Sequence, residues 1–300
     1  MKLRRVDNLW LIWSAVAGVL IGGCVSQGPA SLPVCPGKAN VREALSTLTA
    51  QAEKATSFRV SSGQCLLTYH SPEDGKQRRN NLFMKLWFNP PREIYVQVTV
   101  AADPKAIIVG SNSERFWLSL RPKEMSSYYE GQWSQVRGFD GLMISPMIML
   151  EAFGIVATEP DVSGGSAWSL KNKGPYDILT RRDEAGRLTQ RVYVYACDYR
   201  VRKIEYFNER GAVVAATELA DYKEVAEGFL VPTQIKATLT DPDGLQDTME
   251  IELKSMGAYQ LSQAQRDFMF VPRGRERAEN VYRYEDGRWV PEPRKTNAGP

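Results

Sequence analysis

The sequence predicts a mainly β, α+β fold built on one antiparallel sheet, and three observations support this. Short turn motifs rich in Gly, Asp, Asn or Pro separate runs of Val, Ile, Thr, Tyr and Leu; they occupy residues 72–75, 183–186, 208–211 and 241–244. Apolar and polar residues alternate within the runs, as in Leu82, Met84, Leu86 and Phe88. No long helical segment separates most runs, so we expect an antiparallel meander of about ten to thirteen strands.

Two segments depart from the strand pattern and predict helices. Between residues 40 and 56, apolar residues recur every three or four positions, and Asn40 is a suitable N-cap with Glu43 three residues on. Between residues 145 and 154, Ser145 is a suitable N-cap and is followed by proline. This second helix is apolar nearly all round, so it must be buried on several sides or cover an apolar opening.

The first residues have the pattern of an export signal. Residues 2–5 include three basic side chains, and an apolar run from residue 9 to residue 21 follows. At about 13 residues, this run suits a signal-peptide core better than a membrane span. Its ending, Ile-Gly-Gly-Cys at residues 21–24, resembles the bacterial lipobox, in which the cysteine, here Cys24, is acylated and becomes the first mature residue. The alternative is an uncleaved membrane anchor with an incidental cysteine.

Lipidation at Cys24 predicts a protein that stays on a membrane through its N-terminal lipid, since two or three acyl chains hold stably. Val25 and Ser26 follow, and the absence of aspartate there resembles lipoproteins sent to the outer membrane, facing the periplasm. Aromatic residues in the polar C-terminal tail indicate a small hairpin or a docking segment. The predicted division is a signal peptide at 1–23, a tether at 24–39, a folded domain at 40–272 and the tail at 273–300.

Composition and motifs argue against several classes of function. Basic and acidic residues are interspersed without the basic stripe that nucleic-acid binding needs, so nucleic acid is not an expected partner. The single histidine, His70, lies beside a turn, and Asp241 and Asp243 lie in another turn. No nucleophile elbow, phosphate loop or paired-histidine zinc motif is present. We therefore expect no enzymatic activity, no cofactor and no metal site.

Export would place the three remaining cysteines in an oxidising compartment, where a disulfide persists. The helix after Cys35 advances about 24 Å, and a strand returning to Cys65 covers about 23 Å, so the two residues could meet. We predict a Cys35–Cys65 disulfide, with two free buried thiols as the alternative. Cys197, among tyrosines, is predicted to be a lone buried thiol.

The order of these segments resembles the LolA/LolB lipoprotein-carrier superfamily over about residues 40–272. After the first helix, residues 86–96 resemble a strand, a Pro-Arg turn and a strand of that family, and residues 111–118 resemble its next hairpin. The mid-chain helix at 145–154 and the later segments 202–211, 220–222 and 231–235 match in the same order. The resemblance implies a strongly curved antiparallel half-barrel over helices, enclosing an apolar cavity for lipid.

Soft apolar residues fit such a cavity, because methionine adapts to varied acyl shapes. The predicted wall and lid are Met84, Trp117, Met143, Met147, Ile148, Met149, Leu150 and Phe153. The expected function is non-enzymatic binding of lipid or acylated protein cargo in envelope trafficking. The alternative is a half-barrel filled by its own side chains, whose surface or tail binds another envelope protein.

Overall fold

The computed structural model describes residues 32–71, 74–100, 103–121, 126–136, 139, 141–142, 145–154 and 167–293. The predicted signal peptide, Cys24 and Met143 lie outside the described residues. The chain divides into two compact units, Met1–Pro33 and Val34–Pro300, and the second contains all of the described elements. None of the described helices has the length and apolar character needed to span a membrane.

Among its described residues, the second unit has three short α-helices and a fifteen-stranded sheet. Two single-turn 3₁₀ helices lie at Trp133–Gln135 and Arg275–Arg277. The α-helices are α1 Val41–Ala52, α2 Pro146–Ala152 and α3 Gln263–Met269. The first six strands are β1 Phe58–His70, β2 Gln77–Asn89, β3 Glu93–Val100, β4 Asp103–Ser111, β5 Arg115–Leu120 and β6 Ser127–Gln132. The next seven are β7 Ala167–Lys173, β8 Tyr176–Arg182, β9 Leu188–Tyr195, β10 Arg200–Phe207, β11 Val213–Ala226, β12 Phe229–Thr240 and β13 Gln246–Ala258. The last two are β14 Asn280–Glu285 and β15 Arg288–Pro291.

Two antiparallel meanders make up this sheet. Strands β1 to β6 form one and β7 to β13 the other, and they join where β1 pairs with β13 along most of its length. Beyond β6, the parallel strand β14 and its hairpin partner β15 extend the edge. The predicted mainly β fold is therefore confirmed, and the sheet is larger than expected because residues 280–291 of the predicted tail also join it.

The sheet curves around α2. This helix contacts β4 on one side and β11 and β12 on the other, although β4 and β11 are six strand positions apart. Flat spacing of about 4.8 Å between strands would separate them by about 29 Å, whereas a helix is about 10 Å wide. One helix can touch both only if the sheet bends round it, which confirms the predicted half-barrel.

The predicted helix starts are confirmed by their capping bonds. The Asn40 Oδ1 accepts from the backbone N of Glu43 at 3.0 Å, and the Ser145 Oγ accepts from the backbone N of Met147 at 3.1 Å. Helix α3 was not predicted from the sequence; it begins with a reciprocal capping box between Ser262 and Gln265.

The disulfide joins Cys35 to Cys197, so the predicted Cys35–Cys65 pairing is wrong, as is the prediction of Cys197 as a lone thiol. Lengths along the chain were the only basis for expecting Cys35 to pair with Cys65. In the fold, the segment before α1 lies against β8, where the backbone N of Lys38 donates to Asp177 at 2.8 Å. Cys65 lies in β1 with its side chain in the apolar core, where burial raises the pKa of its thiol to about 12.

Candidate functional site

The concave face of the half-barrel is the candidate site, and we call it the groove. The alternating residues Leu82, Met84, Leu86 and Phe88 of β2 are all buried in the apolar cluster on this face. The intervening Trp87 belongs to a second cluster and Phe83 is 60% exposed. The alternation predicted for this strand is therefore correct, and it directs Met84 into the groove.

Helix α2 fills this groove. All of its residues are buried, and the cluster includes the predicted Met147, Ile148, Met149, Leu150 and Phe153. The Phe153 ring lies 5.2 Å from that of Phe58 and 5.5 Å from that of Phe88, in edge-on contacts. The structure thus brings Met84 and the five predicted residues of this helix region together in one apolar cluster.

Trp117 lies on the convex face, so its predicted place in the cavity wall is wrong. Its neighbour Leu118 faces the groove, and its cross-strand partner on β4 is Gly110. A Cβ at Gly110 would lie 2.3 Å from the Trp117 ring, which shows how closely the ring covers that backbone. Strand β5 is buried on both faces, so apolar and polar residues do not alternate along it. The sequence therefore did not indicate on which face of the sheet Trp117 lies.

A buried carboxylate, which was not predicted from the sequence, fixes α2 to the sheet. Glu151 accepts a hydrogen bond from the Gln190 Nε2 at 3.0 Å and another from the Tyr206 hydroxyl. Both partners lie on the second meander, on β9 and β10. A lone acid in an otherwise apolar helix was the available signal, because such a group needs partners when it is buried.

Two cavities that described residues line at the concave face are small. One, lined by Cys65, Met84, Met149 and Met249 among others, has a volume of about 20 Å³. Another, of about 30 Å³, lies between the ends of α1 and α2, with Gln51 and Arg200 among its lining residues. Since one water needs about 10–15 Å³, neither of these has room for an acyl chain while α2 stays in place.

The polar residues considered from the sequence have structural partners. The His70 Nδ1 and its backbone N both lie 2.9 Å from the Asp247 Oδ1, which links β1 to β13. Asp241 accepts from the backbone N of Asp243 at 2.9 Å, within a turn. In the part of the chain that the structure describes, no group of three or more His, Cys, Asp or Glu side chains could hold a metal ion.

Solved structures share this architecture. A domain from Vibrio parahaemolyticus, named for outer membrane lipoprotein sorting, matches with a TM-score of 0.50 and 12% identity, over 74% of this chain and 94% of that one. The chain has a LolA-like fold. A LolA superfamily protein from Nitrosomonas europaea is similar over 76% of this chain and 97% of its own, with a TM-score of 0.48 and 12% identity. No protein-family model and no curated protein matches the sequence.

A DUF1329 family protein from Desulfovibrio piger is also similar, with a TM-score of 0.47 and 15% identity, over 75% of this chain and 95% of that one. Identities this low establish the fold alone. What this LolA-like chain binds must be argued from its own residues.

Proposed function

We propose that this protein is a non-enzymatic binder of acyl chains, from lipid or acylated protein cargo, in the cell envelope. The observation that carries the proposal is α2, an apolar helix rich in methionine whose every residue is buried in the concave face. It occupies the groove in which an acyl chain would lie, so it acts as an internal occupant that cargo displaces.

The properties of α2 suit displacement. At seven residues it is too short to be a stable helix by itself, so its structure depends on the groove. Each acyl methylene that enters the groove contributes about 0.8 kcal/mol, which offsets the contacts that α2 gives up. The thioethers of Met147 and Met149 can repack over chains of different shape. The affinity for an acyl chain is then set by the difference in binding free energy between that chain and α2. A small difference permits both loading and release.

The anchor is a further part of the proposal. Acyl groups on Cys24 would hold the folded unit at the outer membrane, facing the periplasm. Fractionation of cells carrying Cys24→Ala tests this, with Cys65→Ala as the matched cysteine control. We expect the Cys24→Ala protein to leave the membrane fraction and the control to stay. Retention of both would contradict anchoring at Cys24.

The groove is tested with a fluorescent fatty acid titrated into the full chain. We expect Met84→Asp to weaken binding about tenfold or more, because it places a charge on the β2 wall of the groove, which stays in place when α2 is displaced. Phe83→Asp is the matched control, since Phe83 is 60% exposed and should not affect the groove. Equal affinities in both variants would argue against the groove.

Glu151→Gln separates displacement from a simple loss of stability. The substitution weakens the hydrogen bonds that hold α2 to Gln190 and Tyr206, by about 1–3 kcal/mol. If cargo competes with α2, this variant should bind the probe about tenfold more tightly, although it is less stable. Unchanged or weaker binding would contradict a displaceable α2.

A second candidate is an envelope lipoprotein with a filled core that binds another envelope component through its surface. The small cavities of about 20 and 30 Å³ favour it. Mass spectrometry of lipids that co-purify with the full chain distinguishes the two functions. Absence of bound lipid, together with no affinity for the fatty-acid probe, would support this candidate over the carrier.

A further inference from the structure

The convex face of the sheet carries a pocket that the proposed function does not use. Helix α3 and the residues after it cover the outer side of the first meander, where Phe270 packs on Tyr95 and Ile108. Beside this cover lies a cleft of about 390 Å³. A second space of about 60 Å³ shares several of its walls and reaches Trp117. We call the two spaces together the outer pocket.

Cationic side chains dominate the walls of the outer pocket. They are Lys105, Arg121, Arg273 and Arg277, with Glu276 as a carboxylate among them. Glu276 forms an ion pair with Arg277, whose Nε lies 3.6 Å from the Glu276 Oε1. The wall therefore presents more positive charge than its own acid can neutralise, and an anion would find a favourable potential there.

Arg121 lines both parts of the outer pocket, as do Lys105 and Arg273. The Arg121 Nε is enclosed by the protein and closed to solvent, so a ligand in the pocket would meet the terminal Nη groups of this side chain. An anion seated between the three cations would accept charge-assisted hydrogen bonds from more than one of them.

An aromatic ring lies between the cations. The Lys105 Nζ lies 5.2 Å and the Arg273 guanidinium carbon 4.8 Å from the centre of the Phe268 ring, in cation–π contacts. These contacts hold two charges at the pocket. Phe268 and Val271 are nevertheless 42% and 46% exposed. Apolar groups thus lie next to a cationic pocket, which matches a ligand with an anionic head and an adjoining hydrocarbon part.

We propose that the outer pocket binds the phosphate group of an anionic membrane lipid. Phosphate oxygens accept several charge-assisted hydrogen bonds, and arginine presents a planar fork of donors that fits them. The exposed Phe268 and Val271 favour a lipid over a free phosphate ion, because they would contact the hydrocarbon next to the head group. The pocket lies on the opposite face from α2, so it is distinct from the groove.

Calorimetric titration of the full chain in a non-ionic detergent tests the assignment. The probes are dihexanoyl phosphatidylglycerol, dihexanoyl phosphatidylcholine and inorganic phosphate. We expect the phosphatidylglycerol to bind most tightly and to bind more weakly at high salt. Arg121→Gln should weaken it about tenfold or more. Arg210→Gln, an exposed arginine between β10 and β11 in the second meander, should leave it unchanged.

Three outcomes would overturn the proposal. Equal affinity for the two lipids, or equal affinity in Arg121→Gln and wild type, would mean that the cations do not select the ligand. Inorganic phosphate binding as tightly as phosphatidylglycerol would overturn the lipid assignment in favour of a free anion. If Arg121→Gln fails to fold, Arg277→Gln replaces it, because that side chain is 71% exposed. Met84→Asp, which alters the groove, should leave the Arg121-dependent binding intact.

Discussion

At the scale of single residues, Glu205 on β10 is a nearly buried carboxylate that three neighbouring side chains stabilise. Its Oε2 accepts from the Arg191 Nη1 at 3.1 Å and from the Tyr193 hydroxyl at 3.0 Å, and the Lys203 Nζ lies 2.8 Å from its Oε1. Burial by itself raises the pKa of this carboxyl, but the Lys203, Tyr193 and Arg191 interactions together bring the pKa below its ordinary value. The ionised form is therefore the one that the folded state stabilises.

Glu205→Gln should lower the free energy of unfolding by about 1–3 kcal/mol at pH 7, because two cations lose their charged acceptor. A pKa lowered by folding contributes stability above its unfolded value, near 4.5, and loses it as pH falls through the folded pKa. Urea unfolding at pH 7 and at pH 3 should therefore show a smaller difference from wild type in acid. Glu184→Gln, in an exposed turn, is the control. A difference that grows in acid would contradict the assignment.

Cys65 gives a second prediction at this scale. Burial raises the pKa of its thiol from 9.0 to about 12, so in a Cys24→Ala background the native protein should not react with a thiol reagent at pH 8. Reaction should appear on unfolding in urea and be absent when Cys65→Ala is added to that background. The neutral thiol is favoured by folding, so its contribution to stability is present below pH 9 and decreases as pH rises above it. Rapid labelling of the native thiol would contradict its burial.

At the scale of elements, sequence patterns correctly predicted the helix starts and strand faces that depend on residues close together in the chain. The N-caps located α1 and α2, and the alternation in β2 assigned its faces. Helix α3 was not predicted although its capping box is visible at Ser262 and Gln265, because it lacks the proline at the first position and the closing glycine that marked α2. Trp117 was assigned to the wrong face because α3 and the segment after it cover the outer side of β5, a contact that no local pattern reveals.

The contact between β4 and β5 predicts a steric effect. Gly110→Ala should lower the free energy of unfolding by about 1–3 kcal/mol, because the new Cβ would lie 2.3 Å from the Trp117 ring. Gly257→Ala is the matched control, since a Cβ there meets nothing within 4 Å. Trp117→Leu in the Gly110→Ala background should cost less than it costs alone. Additive costs in that double-mutant cycle would contradict the proposed clash.

At the scale of the whole molecule, the sequence predicted an ordered meander but not how its halves combine. The pairing of β1 with β13 joins segments at opposite ends of the folded unit, and β14 joins β6 in parallel. Neither contact leaves a local signature. The composition of the site was equally ambiguous, because Met84 and the residues of α2 suit a filled core and a lipid cavity alike. Only packing distinguishes these states, and it places α2 in the groove.

The Cys35–Cys197 disulfide also joins segments that are far apart in the chain. It spans 162 residues and fixes the segment before α1 to the turn after β9. The chain-entropy model assigns a loop of this length about 5 kcal/mol, and measured disulfides contribute about 2–4 kcal/mol. A reducing agent should therefore shift wild-type urea unfolding to lower concentration. Cys197→Ala should already unfold there and show no further shift, because its bridge is absent. Equal midpoints for reduced and oxidised wild type would mean that the contact between Lys38 and Asp177 holds the segment without the bridge.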